Sequence, residues 1–283
     1  MTKIEADKFV DVENIIKKKN PKLLRLLPQF ILNYVKKIIH ENDINAFIKA
    51  HGQKKEFEFI NEVLNEFKVT VKVYGIENLP ENEGCIVASN HPLGGLDGIA
   101  LIQQVATKRK DLRFIVNDIL LGVENIQKLF IPVNKHGKHT VKMLEEMNKQ
   151  YDSNGVTLIF PAGLVSRKQG GVIKDLEWKK SFISKSRQYK KNIIPVFISG
   201  TNSPFFYNLS MWRKRIGIKA NIEMFYLVDE MYKQRNKTIN IIFGKPIKYI
   251  ELTANKRDAE WAAEIKDSVY GLEAAFLKTK NKL

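Results

Sequence analysis

The sequence predicts an α/β fold, a layered α/β/α domain with a mixed central sheet, preceded by an N-terminal helical segment. Three observations lead there. Short apolar runs, at Cys85 to Ser89, Arg113 to Val116, Val156 to Gly163 where the strand opens into a turn, and Asn192 to Gly200, alternate with stretches of helical spacing. The pattern switches from helical to alternating at Val69 to Tyr74, which marks entry into the main domain. With 283 residues, 44% of them hydrophobic, the chain can bury one large core.

Taken in order, Met1 to Val10 is charged and lacks the apolar stretch of a signal peptide, and no apolar run is long enough to span a bilayer. A cytoplasmic protein with peripheral membrane contact is therefore expected. Leu23 to Leu27 reads as a short helix. From Pro28 to Ile39 the residues Leu27, Phe30, Ile31, Tyr34, Val35 and Ile38 recur at helical spacing, with Gln29, Asn33, Lys36 and Lys37 opposite them. Such a basic amphipathic helix suits either an anionic membrane interface or packing against the main domain. Helical pattern returns at Asn45 to Ile48 and at Glu56 to Phe67. The expected division is residues 1–67 as a helical membrane-association segment and 68–283 as the α/β domain.

The formal charge of +16 and a pI near 9.6 call for an anionic partner: nucleic acid, an acidic protein or an anionic membrane. No stacking-aromatic or recognition-helix signature accompanies the charge, so nucleic acid is not expected. The single cysteine, Cys85, excludes an internal disulfide, and its place in an apolar strand suits a small buried hydrophobe. Cysteine and histidine spacing offers no metal cluster.

The chemistry is expected at Asn90-His91-Pro92-Leu93-Gly94-Gly95-Leu96-Asp97-Gly98, between the strand Cys85 to Ser89 and a helix over Ile99 to Ala106. A histidine just past a buried strand sits at the carboxyl edge of the sheet, where open α/β folds hold ligands. Pro92 keeps His91 in extended backbone, and the glycines let the loop turn so that Asp97 returns to the imidazole. A carboxylate on one ring nitrogen leaves the other free to take a proton from a hydroxyl or amine. With no nucleophile in the stretch, the base would act on the substrate's own hydroxyl. The alternative is a plain turn whose His and Asp cap a helix.

This stretch resembles the His/Asp motif of the glycerolipid (lysophospholipid) acyltransferase superfamily, in which four residues usually separate the two; here five intervene. Histidine followed by proline and a glycine pair is most similar to the hemolysin-like branch of ornithine-lipid and glycine-lipid O-acyltransferases. Three further blocks follow in the superfamily's order. Leu129 to Lys135 resembles the second, with Lys135 where arginine is commoner as contact for the acceptor's anionic head. Phe160-Pro161-Ala162-Gly163 resembles the third, with Ala162 in place of the usual glutamate; Ser166 and Arg167 follow as in the hemolysin-like branch. Backbone N–H groups at Ala162 and Gly163 would face the acyl carbonyl as an oxyanion hole. Asn192 to Gly200 resembles the fourth block, with Pro195 expected at a bulge or strand end. The aromatic trio Phe205, Phe206 and Tyr207 lines an acyl groove or packs in the core. A last strand over Thr238 to Gly244 and a closing helix from about Arg257 complete the chain.

The resemblance implies transfer of a fatty acyl group from a thioester, on acyl carrier protein or coenzyme A, to the hydroxyl of a lysolipid at the inner face of the cytoplasmic membrane. His91 would be the base and Asp97 its orienting partner, with Asn90, Gly94, Gly95, Lys135, Phe160, Pro161, Ala162, Gly163, Ser166 and Arg167 around the substrates. No cofactor or metal is expected, because the thioester co-substrate is already activated. The departures at the proline and glycine pair, Lys135 and Ala162 favour a monoacylated amino-acid lipid as acceptor. Lysophosphatidic acid, or another lysophospholipid, is the alternative acceptor, and a non-catalytic lipid-binding protein is the alternative of another class.

Overall fold

The computed structural model describes residues 8–117, 123–133 and 141–280. Nine strands are described: β1 Thr70–Tyr74, β2 Cys85–Ser89, β3 Leu112–Asn117, β4 Phe130–Val133, β5 Val156–Ile159, β6 Arg167–Gln169, β7 Val172–Lys174, β8 Asn192–Ile198 and β9 Thr238–Phe243. The described helices are α1 Val12–Lys19, α2 Pro21–Leu26, α3 Gln29–Ile38, α4 Glu41–His51, α5 Glu56–Phe67, α6 Leu96–Ala106, α7 Val141–Asp152, α8 Ser181–Tyr189, α9 Pro204–Arg215, α10 Leu227–Tyr232 and α11 Asp258–Lys280.

Seven strands form one sheet in the order β1-β9-β8-β2-β5-β3-β4. All neighbours are parallel except β8 and β9, so the sheet is mixed, as expected. Period-two alternation divides each central strand between two cores. Cys85 and Val87 of β2, with Ile194, Val196 and Ile198 of β8, face a cluster containing α5 and α6. Ile86, Ala88, Ile193 and Phe197 face the opposite cluster, built on Phe182 and Ile183 of α8 and Ala262, Ile265 and Val269 of α11. The result is the predicted α/β/α layering.

Two local expectations are refined. Pro195 lies within β8, a central strand. Ile193 N–H on the same strand edge donates to Ile247 O at 2.9 Å, and Gly244 N–H donates to Pro195 O at 2.8 Å. The donor that proline lacks therefore falls where β9 has ended at Phe243 and the ladder is broken. In α3, Leu32 and Ile38 are buried while Phe30 and Tyr34 of the expected apolar stripe point outward. Packing also runs across the expected boundary at residues 67 and 68: Phe59, Ile60, Leu64 and Phe67 of α5 share a core cluster with α6 and the sheet.

Candidate active site

β2 and β5 are hydrogen-bonded parallel neighbours with Ala88 opposite Ile159, so the loops at their carboxyl ends meet. His91 follows β2 and Phe160 follows β5, and the two rings stack at 4.1 Å between centroids with planes 18° apart. Phe114 of β3 meets Phe160 edge-on at 4.9 Å. Gly98, beneath the pair, has room for little else: a Cβ there would lie 3.3 Å from Phe114 and 3.5 Å from Phe160.

The fifth residue between His91 and Asp97 does not prevent their meeting. Gly94 takes a left-handed φ of 87°, tightening the loop, and Asp97 sits in the first turn of α6. His91 Nδ1 lies 2.9 Å from Asp97 Oδ2. The same oxygen accepts from Leu93 N–H at 2.8 Å, and Oδ1 accepts from Gly98 N–H at 2.9 Å. Burial alone would raise this carboxyl, but the His91 ring and the two amides hold it below the usual carboxylate range. The aspartate thus accepts from an amide of its own first helical turn while it holds the histidine ring.

The backbone of His91 is held as firmly as its ring. Gly170 and Gly171, both at positive φ, turn the hairpin β6–β7, and its register of Arg167 opposite Lys174 brings Ser166 beside Asp175. Asp175 Oδ1 accepts from Ser166 Oγ at 2.6 Å and from His91 N–H at 3.2 Å, while Oδ2 accepts from Trp178 Nε1 at 2.9 Å. Ser166 N–H donates to His91 O at 2.8 Å. Burial raises the Asp175 carboxyl, against the pull of those donors. Sequence reasoning missed Asp175 and Trp178; the Gly-Gly between two short runs was the available hairpin signal.

An apolar cavity of about 880 Å³ opens at this point. His91, Gly94, Gly95, Phe160, Pro161 and Gly163 line it, as do Phe47, Phe59 and Phe67 of the N-terminal helices. His91 Nε2 has no protein partner among the described residues. The ammonium of Lys179, another residue sequence reasoning missed, lies at the cavity wall, 3.4 Å from where a Cβ on Gly163 would stand. Lys179 N–H is anchored on Pro161 O at 3.0 Å.

Other expected site residues are placed elsewhere. Both polar atoms of the Asn90 side chain join the backbone of Ile198, at 2.8 Å and 2.7 Å, so Asn90 ties β2 to β8. Ser166 is buried on Asp175. Arg167 is buried as well, donating to Glu223 at 2.9 Å and to Val165 O at 2.7 Å, with its guanidinium 5.0 Å from the Phe206 ring centroid. Those bonds leave it turned into the protein interior. Ala162 joins the core cluster of Trp178 and Phe182, and Gly163 N–H donates to Phe160 O at 2.9 Å, occupying that expected oxyanion donor. Phe206 and Tyr207 pack in the core with Val165, leaving Phe205 exposed. Lys135 lies outside the described residues. Among the described residues, no group of three or more His, Cys, Asp or Glu side chains is placed to hold a metal ion. No described helix is long and apolar enough to cross a membrane.

Comparison with known proteins gives matches over most of the chain. A family profile described as Acyltransferase matches residues 14–278. The lyso-glycine lipid O-acyltransferase of Bacteroides thetaiotaomicron is 43% identical over 266 residues, covering 93% of this chain and 97% of that protein. The lyso-glycine lipid O-acyltransferase of Phocaeicola vulgatus is 41% identical over 265 residues, covering 93% and 95%. Among solved structures, the 1-acyl-sn-glycerophosphate acyltransferase PlsC of Thermotoga maritima is similar at 20% identity and a TM-score of 0.47, covering 87% of this chain and 92% of that one.

Proposed function

Since the chain belongs to the acyltransferase family, in the aminolipid branch that its relatives represent, we propose that it transfers a fatty acyl group from a thioester to the hydroxyl of a lysolipid. The acceptor in this reading is a monoacylated amino-acid lipid, of which a lyso-glycine lipid is the instance the relatives' names supply. The observation that carries the reading is the His91–Asp97 hydrogen bond at the wall of an apolar cavity whose volume suits a lipid-sized ligand.

With Nδ1 on Asp97, His91 Nε2 takes the proton from the acceptor hydroxyl as its oxygen bonds to the thioester carbon. The tetrahedral oxyanion then collapses, the carbon–sulfur bond breaks, and the thiolate leaves with the proton from His91. Asp97 stabilises the imidazolium between these steps. An acyl chain occupies the cavity among Phe59, Ile102, Phe114 and Phe130. Acyl carrier protein and coenzyme A both supply the required thioester, and because that donor is a cytoplasmic species the protein works from the cytoplasmic face. The apolar and basic surface of α3 rests on anionic membrane.

Lys179 takes the role of holding the head group. Glycine acylated on nitrogen presents one carboxylate, and an ammonium serves a single anion as a point charge. Arg167, bound to Glu223, is turned away from it.

The test is acyl transfer by purified protein with one thioester donor and lyso-glycine lipid and lysophosphatidic acid at equal concentration in the same vesicles. Preferential acylation of the aminolipid is expected. His91→Ala is expected to lower turnover by roughly 10²- to 10⁴-fold while the protein stays folded. Preference for lysophosphatidic acid would replace the acceptor, and undiminished turnover in His91→Ala would refute the mechanism. Lipid binding with no transfer to either acceptor, whichever thioester is supplied, would leave a non-catalytic lipid-binding protein.

A further inference from the structure

We propose that the stretch from Phe205 to Phe225 is a second bilayer-contact element, which together with α3 seats the rim of the cavity on an anionic membrane. It belongs to the C-terminal half of the chain, outside the segment in which the sequence suggested membrane contact. Ser203 caps α9 by accepting from Phe206 N–H at 3.3 Å. Phe206, Tyr207, Ser210 and Arg213 then face inward, Arg213 being bound to Glu223. The helical period leaves Phe205 and Trp212 on the outer face, and Ile216 and Ile218 stay exposed on either side of Gly217. Trp212 is 69% exposed, Ile216 65% and Phe225 67%, which is unusual for side chains of this size gathered in one stretch.

Charge identifies the occupant. From Pro204 to Ile222 the chain carries no carboxylate, and Lys214, Arg215 and Lys219 are all exposed. Aromatic and branched apolar side chains interleaved with cations match a bilayer interface, with rings at headgroup depth and ammonium or guanidinium groups on anionic lipid. The patch is continuous with the N-terminal helices, since Tyr34 and Tyr226 share a hydrogen bond at 3.0 Å between their hydroxyls and Phe205 meets Tyr226 edge-on at 4.9 Å. Exposed Phe30 extends the surface on α3. Asn221, Met224, Phe225 and Leu227 also line the cavity that holds His91. Resting on the lysolipid reading, this arrangement lets an acceptor dissolved in the bilayer enter the cavity at the membrane surface.

The experiment uses the full chain with vesicles of phosphatidylcholine alone or mixed with phosphatidylglycerol, some carrying brominated acyl chains that quench tryptophan at contact. Wild-type fluorescence is expected to be quenched on the anionic vesicles, with most of the quenching lost in Trp212→Phe. The double variant Trp212→Glu, Ile216→Glu is expected to bind anionic vesicles about ten-fold more weakly, with unchanged melting and unchanged turnover on a short-chain acceptor in solution. Undiminished quenching in Trp212→Phe together with wild-type vesicle binding by the double variant would overturn the proposal. So would a double variant that keeps vesicle binding but loses transfer specifically from acyl carrier protein, which would make the patch a carrier site. Docking as expected with no acyl transfer to any lysolipid would leave the surface in place and refute the enzymatic reading.

Discussion

The Phe160 ring stacks on the His91 imidazole at 4.1 Å, so the residue after β5 fixes the plane of the imidazole that follows β2. Removing the ring frees the imidazole to tilt about its bond to Asp97. Phe160→Ala is expected to lower kcat by about 10- to 100-fold, the scale of a small misplacement of a reacting group. Phe160→Tyr should retain most of the rate. Steady-state kinetics with circular dichroism as a folding control checks this, and a Phe160→Ala enzyme at wild-type kcat would show that Asp97 suffices to orient the ring.

Asp97 is fully buried with a lowered carboxyl, which links it to stability as well as to the proposed mechanism. A depressed folded value stabilises the fold above the unfolded carboxyl's value, about 3.9, and that contribution is lost as pH falls through the folded value. Asp97→Asn should therefore melt below wild type at neutral pH, with the gap closing below about pH 4. Scanning calorimetry from neutral to acid pH gives the comparison; a gap constant with pH would mean that the charge contributes nothing.

Asp175 accepts from three donors, the His91 N–H, the Ser166 hydroxyl and the Trp178 indole. Asparagine in its place turns an NH₂ group toward at least one of them. We expect Asp175→Asn to cost about 1–3 kcal/mol of stability. It should also lower kcat more than it changes KM, because the displaced element is the backbone of the proposed base. Urea unfolding and kinetics on the same preparation test both parts.

Lys179 is exposed at the cavity wall, so the hold on an anionic head proposed for it is screened by water. Lys179→Ala is expected to raise KM for a lyso-glycine lipid by about five-fold, as for one exposed ion pair, leaving KM for the acyl donor unchanged. An acceptor with its carboxyl capped as the amide should show no difference between the two enzymes. A change in donor KM instead would place the ammonium on the donor's phosphates.

Much of this protein was legible along the chain because its signals are local. The strand Cys85–Ser89, the helix Glu56–Phe67, the layered fold and the His91-to-Asp97 spacing follow from periodicity and from proline and glycine at particular positions. Loop torsions could bring Asp97 back to His91 without help from distant residues. What only the tertiary structure decided is which partner each polar side chain takes. Arg167 read as a substrate contact, yet its guanidinium is bound to Glu223, 56 residues away, and Asn90 pairs with Ile198, 108 residues away. Asp175 reaches the backbone of His91 across 84 residues because the Gly170-Gly171 turn folds the hairpin back. A buried polar group must find a partner, and that requirement is visible in the sequence; the partner itself is chosen by the packing of remote elements, which no local pattern encodes.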